Sequence, residues 1–374
     1  MEVVTNNLKL IVMDNILEFG NRVDSHLKLM RGIHDPNFSF IIPVKMTRFS
    51  SGEGKATILE TVREQDVYVF SDVTNYSCTY KMRGFTNHMS PDDHFQDIKR
   101  VISAMNKNAS SVHLVMPFLY EGRQHKRKGR ESMDCSLMLH ELERMGTRSI
   151  ITIDAHDPTI RNAIEDTSFD SVFPTYSILK EFIETEDLDF DKLFVVSPDT
   201  GAVDRAVFYA NMLGTDVGIY HKRRDYSQVV DGKNPIVAHH YMGAPVEGKD
   251  VLIVDDMIAS GQSILEVAEE MKERGASKVY LSASFALFRD GEKSVEAFNE
   301  AYEKGIFDRL YATNLNYVPE ETKSLPWFHQ ADCSKYIAKI IDNLNNRQPI
   351  SPLLDSKEKI LVKINQAKTS KATI

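Results

Sequence analysis

Residues 251–263 read VLIVDDMIASGQS. Four aliphatic residues, three of them β-branched, suit a strand buried on both faces. Two adjacent acids, Asp255 and Asp256, end the apolar run, and the chain then turns small and polar. The plainest reading is a strand end, a Ser260-Gly261 turn, and Ser263 capping a helix that begins near Ile264. Two points favour a fuller reading. Adjacent like charges at the carboxyl end of a parallel strand repel unless something cationic or hydroxylic lies between them. That edge is also where open α/β sheets bind ligands, and small residues before a helix leave backbone N–H groups for an anion. Carboxylates accept hydrogen bonds from sugar hydroxyls, and an amide nest holds a phosphate. A ribose 5-phosphate carries both groups.

The surrounding chain sets bounds on that reading. At 374 residues it is long enough for two domains, each with its own core. The formal net charge is −9 and no long basic stripe dominates, which argues against a nucleic-acid partner. Cys78, Cys135 and Cys333 are odd in number and far apart, which fits neither a disulfide framework nor a zinc site. No stretch approaches membrane-span length, and the first residues lack a basic region followed by a long apolar core, so a cytoplasmic protein is expected.

Apolar runs alternate with amphipathic segments. LKLIV (8–12), DVYVF (66–70), VHLVM (112–116) and SIITI (149–153) read as strands, with helical patterns at 94–105 and 133–146 between them. The second half repeats the scheme with strands at 192–197, 216–220, 250–254 and 278–286, and helices at 204–214 and 264–276. Strands separated by helices imply parallel sheets with right-handed crossovers. A further helix is expected at 336–346, and the lysine-rich residues 355–374 read as an exposed tail.

Five other stretches carry chemistry. In VVSPDTGAVDRA (195–206), Asp199 follows a strand; alone it reads as a turn or cap residue. In IDAHDPTI (153–160), His156 stands between Asp154 and Asp157 at a strand end, which suits Mg²⁺ and a phosphate-bound partner. In YHKRRDYSQ (220–228), three consecutive cations follow a strand, either as a solvated cluster or as a mobile loop that closes over polyphosphate. In PFLYEGRQHKRKGRE (117–131), cations crowd the run from Arg123 to Arg130, and few aromatics accompany them, so a nucleotide site fits better than a nucleic-acid patch. In RFSSGEGKATI (48–58), Glu53 lies in a Gly-bracketed stretch that reads first as a hairpin turn.

In their order, these motifs resemble the ribose-phosphate pyrophosphokinase (PRPP synthetase) family over nearly the whole chain. The resemblance runs through LKLIVMDN, RFSSGE, MPFLYEGRQ, TIDAHD, VVSPDTG, HKRR, GKDVLIVDDMIASG, RGASKVY, LYATN and IAKIIDNLNNRQPISPLL. It implies an α/β fold of two tandem phosphoribosyltransferase-like domains, each with a mainly parallel central sheet flanked by helices. The expected bounds are 1–165 for an ATP-binding N-terminal domain, 166–354 for a ribose 5-phosphate-binding domain, and 355–374 for a polar tail.

The family transfers diphosphate from ATP to ribose 5-phosphate. By resemblance, Asp255 and Asp256 hold the ribose hydroxyls, and Ser260, Gly261, Gln262 and Ser263 wrap the 5-phosphate. His156 and Asp199 match positions that engage Mg²⁺, with His156 also on the ATP side. Lys222 and Arg224 match the catalytic loop, and Arg123 and Gln124 an ATP-contacting loop. Phe49 and Glu53 match an adenine-contacting loop that the family supplies from a neighbouring subunit, which implies a dimer-based homo-oligomer, a hexamer being one form of it. Several residues depart from the family pattern: Ser51 and His125 each replace an acid, and Ala259, Gln262 and Ala202 are further changes. The segment 77–93 is longer than its counterpart. Two alternatives stand beside an active synthetase. One is a non-catalytic homologue that regulates a synthetase; the other is a PRPP-consuming phosphoribosyltransferase. The presence of Lys222, Arg224 and His156 weighs against the first, and the tandem arrangement against the second.

Overall fold

The apolar runs become strands of two sheets, each belonging to its own packing unit. The protein is described by a computed structural model over residues 7–127, 129–224 and 236–372. The first unit begins with β1 (Leu8–Val12), α1 (Leu17–Met30), β2 (Val44–Arg48), β3 (Gly54–Ile58), β4 (Asp66–Phe70), β5 (Thr79–Met82) and β6 (Phe85–His88). It continues with α2 (Pro91–Ala104), β7 (Ser111–Val115), α3 (Asp134–Arg144), β8 (Ser149–Ile153) and β9 (Ser168–Val172). Its five-stranded sheet has the order β1-β4-β7-β8-β9 with every pair parallel, while β2-β3 and β5-β6 form separate antiparallel ribbons.

The second unit holds α4 (Thr175–Thr185), β10 (Leu193–Ser197), α5 (Val203–Leu213), β11 (Val217–Arg224), β12 (Ile236–Met242), β13 (Asp250–Ile258) and α6 (Gln262–Glu273). There follow β14 (Lys278–Ala286), α7 (Glu292–Glu303), β15 (Arg309–Thr313), α8 (Glu320–Lys323) and β16 (Phe328–Ala331). The last helices of the chain are α9 (Ser334–Asn345), α10 (Ser351–Leu354) and α11 (Lys357–Ala372). The second sheet runs β12-β11-β10-β13-β14-β15-β16, parallel except for the β11-β12 pair. The α/β class with mainly parallel sheets, expected from the sequence, is what forms.

Alternate residues of β13 feed two cores. Val251 and Ile253 pack with Ile264, Val267 and Met271 of α6 on one side. Leu252 and Val254 pack with Ile178 and Phe182 of α4 and Tyr209 of α5 on the other. This is the burial on both faces that the unbroken aliphatic run required.

Four expectations need correction. The strand at 250–254 continues to Ile258, so both acids lie within β13 rather than after it. Pairing with β14 carries it onward, from Asp255↔Ala283 to Ile258↔Ala286. Helix α6 starts at Gln262, and Gly261, not Ser263, is its capping residue. Lys222, Arg223 and Arg224 do not follow a strand; they are the last residues of β11, in register with β12. Residues 225–228 of that stretch lie outside the described residues. The tail is not an appendage: α11 packs on the second unit, with Ile360 and Ile364 buried beside α4 and α5.

The units are also not linear. The first takes in Asn314–Tyr317 and Asp332–Leu354 besides residues up to Phe173, and the second holds the remainder. Polar contacts fix these late segments to the first unit. Arg31 Nε donates to Asp342 Oδ1 at 2.8 Å and Arg31 Nη2 to Asn345 Oδ1 at 2.7 Å, joining α1 to α9. The Tyr317 N–H donates to buried Asp72 at 2.7 Å. Burial pushes the Asp72 carboxyl up to about 6 despite hydrogen bonds from Thr74 and Tyr317.

Because Ile360 is almost fully buried, Ile360→Ala is expected to destabilise the protein by about 2–4 kcal/mol, the usual result of deleting a buried aliphatic side chain. Denaturant unfolding measures this; an unchanged midpoint would contradict the packing described for α11.

Candidate functional site

In the second sheet, β10 connects to β11 on one side while its other neighbour, β13, connects to β14 on the opposite side. The loops after β10 and β13 therefore leave in opposite directions and open a crevice, the usual ligand position in an open α/β sheet. Strand pairing deepens it. The β10–β13 register ends at Val196↔Ile253, whereas β13 remains paired to β14 as far as Ile258. Asp255 and Asp256 thus lie beyond the end of the β10 pairing.

Three carboxylates converge there. Asp256 is buried and Asp255 is partly exposed. The Asp255 carboxyl is pushed well above the ordinary range, first by burial and then by the like charges of Asp256 and Asp199. The Asp256 backbone N–H, donating to Asp255 Oδ1 at 2.8 Å, and the charge of Arg205 on α5 oppose that rise. Asp199 is exposed; its Oδ1 accepts from the N–H groups of Gly201 at 2.8 Å and Ala202 at 3.0 Å. Ser197 Oγ donates to the Asp199 carbonyl at 2.7 Å. Asp199 is accordingly a turn residue, as its plain reading held, and its carboxylate is fixed at the rim of the crevice.

Across the crevice, the chain passes from β13 through Ala259-Ser260-Gly261 into α6. Gly261 has φ +93°, and a Cβ there would sit 2.2 Å from Phe298 Cε2. Only glycine meets both conditions. Phe298 is wholly buried and stacks on Trp327, with centroids 5.4 Å apart, so the ring cannot retreat. No side chain caps α6. Its first-turn N–H groups therefore point outward with no acceptor inside the helix, as an anion site requires. The Gln262 side chain is engaged elsewhere, donating to Glu266 Oε1 at 2.9 Å. The plain sequence signal for this cradle was Ser-Gly after two acids; Arg205 and Phe298 had no local signal.

Lys222 and Arg224 end β11 two residues apart, with Lys222 opposite His239 on β12 and a register shift between Arg223 and Arg224. The backbone of the second unit thus carries Asp199, Asp255, Asp256, Ser260–Ser263, Lys222 and Arg224.

The other assigned residues belong to the first unit. Phe49 and Glu53 bracket the loop between β2 and β3. The loop closes on itself: Phe49 N–H donates to the Glu53 carbonyl at 2.9 Å, and Gly52 N–H to the Phe49 carbonyl at 2.9 Å. Phe49 is 49% exposed, an unusual position for so apolar a ring. Ser51 Oγ donates to Glu53 Oε2 at 2.9 Å. Serine at this position therefore orients the Glu53 carboxylate, where an acid would repel it.

Arg123 and Gln124 are exposed on a turn that follows β7. Its anchor is His125, which the sequence marked only as a departure. His125 Nε2 lies 3.2 Å from Asp157 Oδ2, and Lys126 Nζ 2.8 Å from the same oxygen. Asp157 Oδ1 accepts from Thr159 N–H at 2.9 Å. The hydrogen bond from Lys126, followed by those from Thr159, holds the Asp157 carboxyl well below the usual carboxylate range. The clasp brings the His125 ring to 5.5 Å from the exposed His156 ring, centroid to centroid. Arg123, Gln124 and His156 thus share one end of the first sheet. Asp154, at φ +44°, makes the turn that leads to His156.

Gly261→Ala is expected to combine left-handed strain with a clash against Phe298, lowering stability by roughly 2–4 kcal/mol. Thermal unfolding beside a Gly275→Ala control, where the nearest atom is a Glu247 side-chain carbon at 3.2 Å, reads the difference. An equal loss in both variants would contradict a special constraint at Gly261.

Known proteins place this geometry in context. Residues 8–146 match the family model described as the N-terminal domain of ribose phosphate pyrophosphokinase, and residues 176–307 match that of the phosphoribosyl transferase domain. Ribose-phosphate pyrophosphokinase 2 of Enterococcus faecalis is 29% identical over 317 residues, which are 84% of this chain and 88% of the relative. Ribose-phosphate pyrophosphokinase of Vibrio cholerae is 28% identical over 354 residues, 93% of this chain and 99% of the relative. In fold, the chain is similar to the crystal structure of phosphoribosylpyrophosphate synthetase from Mycobacterium smegmatis, with TM-score 0.73 and 22% identity over 91% of this chain and all of that one. Two family models in the expected order, with relatives matching almost end to end, identify the chain as a divergent member of the ribose-phosphate pyrophosphokinase family.

Proposed function

We propose that the protein is a ribose-phosphate diphosphokinase. It transfers the diphosphate of ATP to the anomeric hydroxyl of ribose 5-phosphate, giving PRPP and AMP. The observation that carries this reading is the crevice between β10 and β13, where paired carboxylates lie on the strand end that leads into a glycine-opened helix N-terminus. A sugar phosphate complements both. Asp255 and Asp256 accept hydrogen bonds from the ribose hydroxyls, which relieves the repulsion between them. The backbone N–H groups of Ser260, Gly261, Gln262 and Ser263 surround the 5-phosphate.

In the first unit, Arg123, Gln124 and His156 hold ATP, and Phe49 and Glu53 contact the adenine. That loop serves the site of a neighbouring chain in a homo-oligomer, which accounts for the exposure of Phe49. The anomeric oxygen attacks the β-phosphorus in line; the bond from that phosphorus to the AMP oxygen breaks, and the hydroxyl proton leaves to solvent. No protein nucleophile is needed, because such transfers depend on alignment and charge stabilisation. Lys222 and Arg224 meet the charge that develops on the transferring group.

Mg²⁺ fits the donors. Among the described residues no three His, Cys, Asp or Glu side chains form a metal cage. Mg²⁺ ordinarily takes one or two carboxylates, with substrate phosphates and water completing its octahedron. Exposed Asp199 suits that role, with His156 beside the nucleotide. The cation would supply charge neutralisation to the triphosphate when bound. Among the described residues no helix is long and apolar enough to cross a membrane. The three cysteines are unpaired, which supports a reducing, cytoplasmic setting.

Incubation with ATP, ribose 5-phosphate and Mg²⁺, followed by chromatography, is expected to yield AMP and PRPP in equal amounts. ATP hydrolysis to ADP alone would overturn the reading. Lys222→Ala or Arg224→Ala is expected to lower kcat about a hundredfold or more while leaving ribose 5-phosphate affinity nearly unchanged, because their charge is used mainly in the transition state. Near-normal turnover in both would remove that role. Asp255→Asn and Asp256→Asn are expected to weaken ribose 5-phosphate binding with ATP binding retained. Calorimetry showing unchanged sugar-phosphate affinity in both would contradict the crevice assignment.

A further inference from the structure

Within the long segment 77–93, residues 79–88 form the β5–β6 hairpin, in register from Thr79↔His88 to Met82↔Phe85. Arg83 and Gly84, at φ +51° and +85°, make its two-residue turn. The hairpin adds little to the core, and Phe85 near its tip is 73% exposed. Its contacts are instead directed at the ribbon that carries Phe49 and Glu53. The Arg83 N–H donates to the Ser50 carbonyl at 3.2 Å. Met82 Sδ lies 2.6 Å from where a Cβ on Gly52 would stand, and Gly52 has φ +97°. The Arg48 guanidinium lies over the Tyr80 ring, 4.9 Å from its centroid. The same guanidinium donates to Asp97 Oδ2 at 3.0 Å, and Tyr80 OH donates to Asp93 Oδ1 at 3.4 Å, both acceptors on α2.

These contacts fall at Arg48 just before the 49–53 loop and at Ser50 and Gly52 within it. Bonds within the loop span only Phe49 to Glu53 and leave it exposed to solvent. An exposed five-residue loop gains from an outside brace, because ordering it before binding removes a cost otherwise met at the moment of association. We infer that the β5–β6 hairpin is a positioning element for nucleotide binding: Tyr80, Met82 and the Arg83 backbone hold the 49–53 loop in the shape that presents Phe49 and Glu53 to the base of a nucleoside triphosphate. This rests on the proposed reading of that loop as the adenine contact. The hairpin residues touch no substrate; they act through the loop.

Steady-state kinetics on the full protein separates the hairpin from the loop it braces. Tyr80→Ala and Met82→Ala are expected to raise KM for ATP by about three- to tenfold while KM for ribose 5-phosphate moves less than about twofold. Met82→Leu, which conserves volume, restores most of the loss. Phe49→Ala is the reference, and adding Met82→Ala to it is expected to raise KM for ATP by less than Met82→Ala does alone, because both act through one contact. If Phe49→Ala raises KM for ATP but neither hairpin variant does, the loop reading stands and the positioning inference is overturned. If Phe49→Ala leaves KM for ATP unchanged, the loop reading itself fails and the inference with it. If the hairpin variants raise both KM values together, or lower the melting temperature in proportion, the hairpin is a general brace and the inference is again overturned. Hydrogen exchange at the Gly52 amide, faster in Met82→Ala than in the parent, gives a reading independent of turnover; unchanged exchange would count against the brace.

Discussion

The enclosed charge of Asp255 is the constraint from which the rest of the site follows. A carboxylate beside two others, at a partly buried strand end, is costly to ionise, and its raised proton affinity expresses that cost. The fold tolerates it because the sheet forks there. With β10 ended and β13 continuing, backbone and ligand groups can reach the acids from the crevice side. An N–H from Asp256 and the charge of Arg205 offset part of the repulsion, and sugar hydroxyls are suited to offset more. The site is thus arranged for a ligand before the ligand arrives. Gly261 completes it, since its left-handed turn against Phe298 leads from the end of β13 straight into the uncapped first turn of α6.

The two clearest departures from the family pattern follow one local logic. His125 stands where an acid is usual, and it binds an acid, Asp157, contributed by the neighbouring turn. Ser51 also replaces an acid, and it donates to Glu53. In each case a loop loses one negative charge and gains a hydrogen-bonded partner for another. The loops keep a defined shape while their outward chemistry becomes less acidic, a change that would suit the anionic nucleotide proposed for them. The β5–β6 hairpin extends the pattern, adding an outside support to the loop that Ser51 orders from within.

What the sequence made legible was whatever a short stretch determines. Strands buried on both faces announce themselves as aliphatic runs, and the motifs at their ends kept their order, so the α/β class and the residues of the crevice could be named in advance. The extent of β13 was not legible, because two acids look like an exit to solvent when the neighbour that keeps pairing with them, β14, is unseen. The hairpin at 79–88 has short, half-exposed strands whose Tyr80, Met82 and Phe85 form no continuous apolar run. The late return of residues 332–354 to the first unit depends on Arg31, Asp342 and Asn345 meeting across about three hundred positions of sequence, which no local pattern encodes. Helix α11 gave a weak signal because, among its described residues, only Ile360 and Ile364 are driven into the core, between many charged neighbours.

The central claim is diphosphoryl transfer onto the sugar's anomeric oxygen, and oxygen labelling tests it most directly. Ribose 5-phosphate carrying ¹⁸O at the anomeric position is incubated with unlabelled ATP and Mg²⁺, and the products are weighed by mass spectrometry. The label is expected in PRPP, in the bridge between the sugar carbon and the β-phosphorus, and not in AMP. Loss of the label from PRPP beyond that of ribose 5-phosphate in an enzyme-free control, or its appearance in AMP, would mean that the sugar's carbon–oxygen bond breaks in the reaction or that another phosphorus is attacked, and would contradict that transfer.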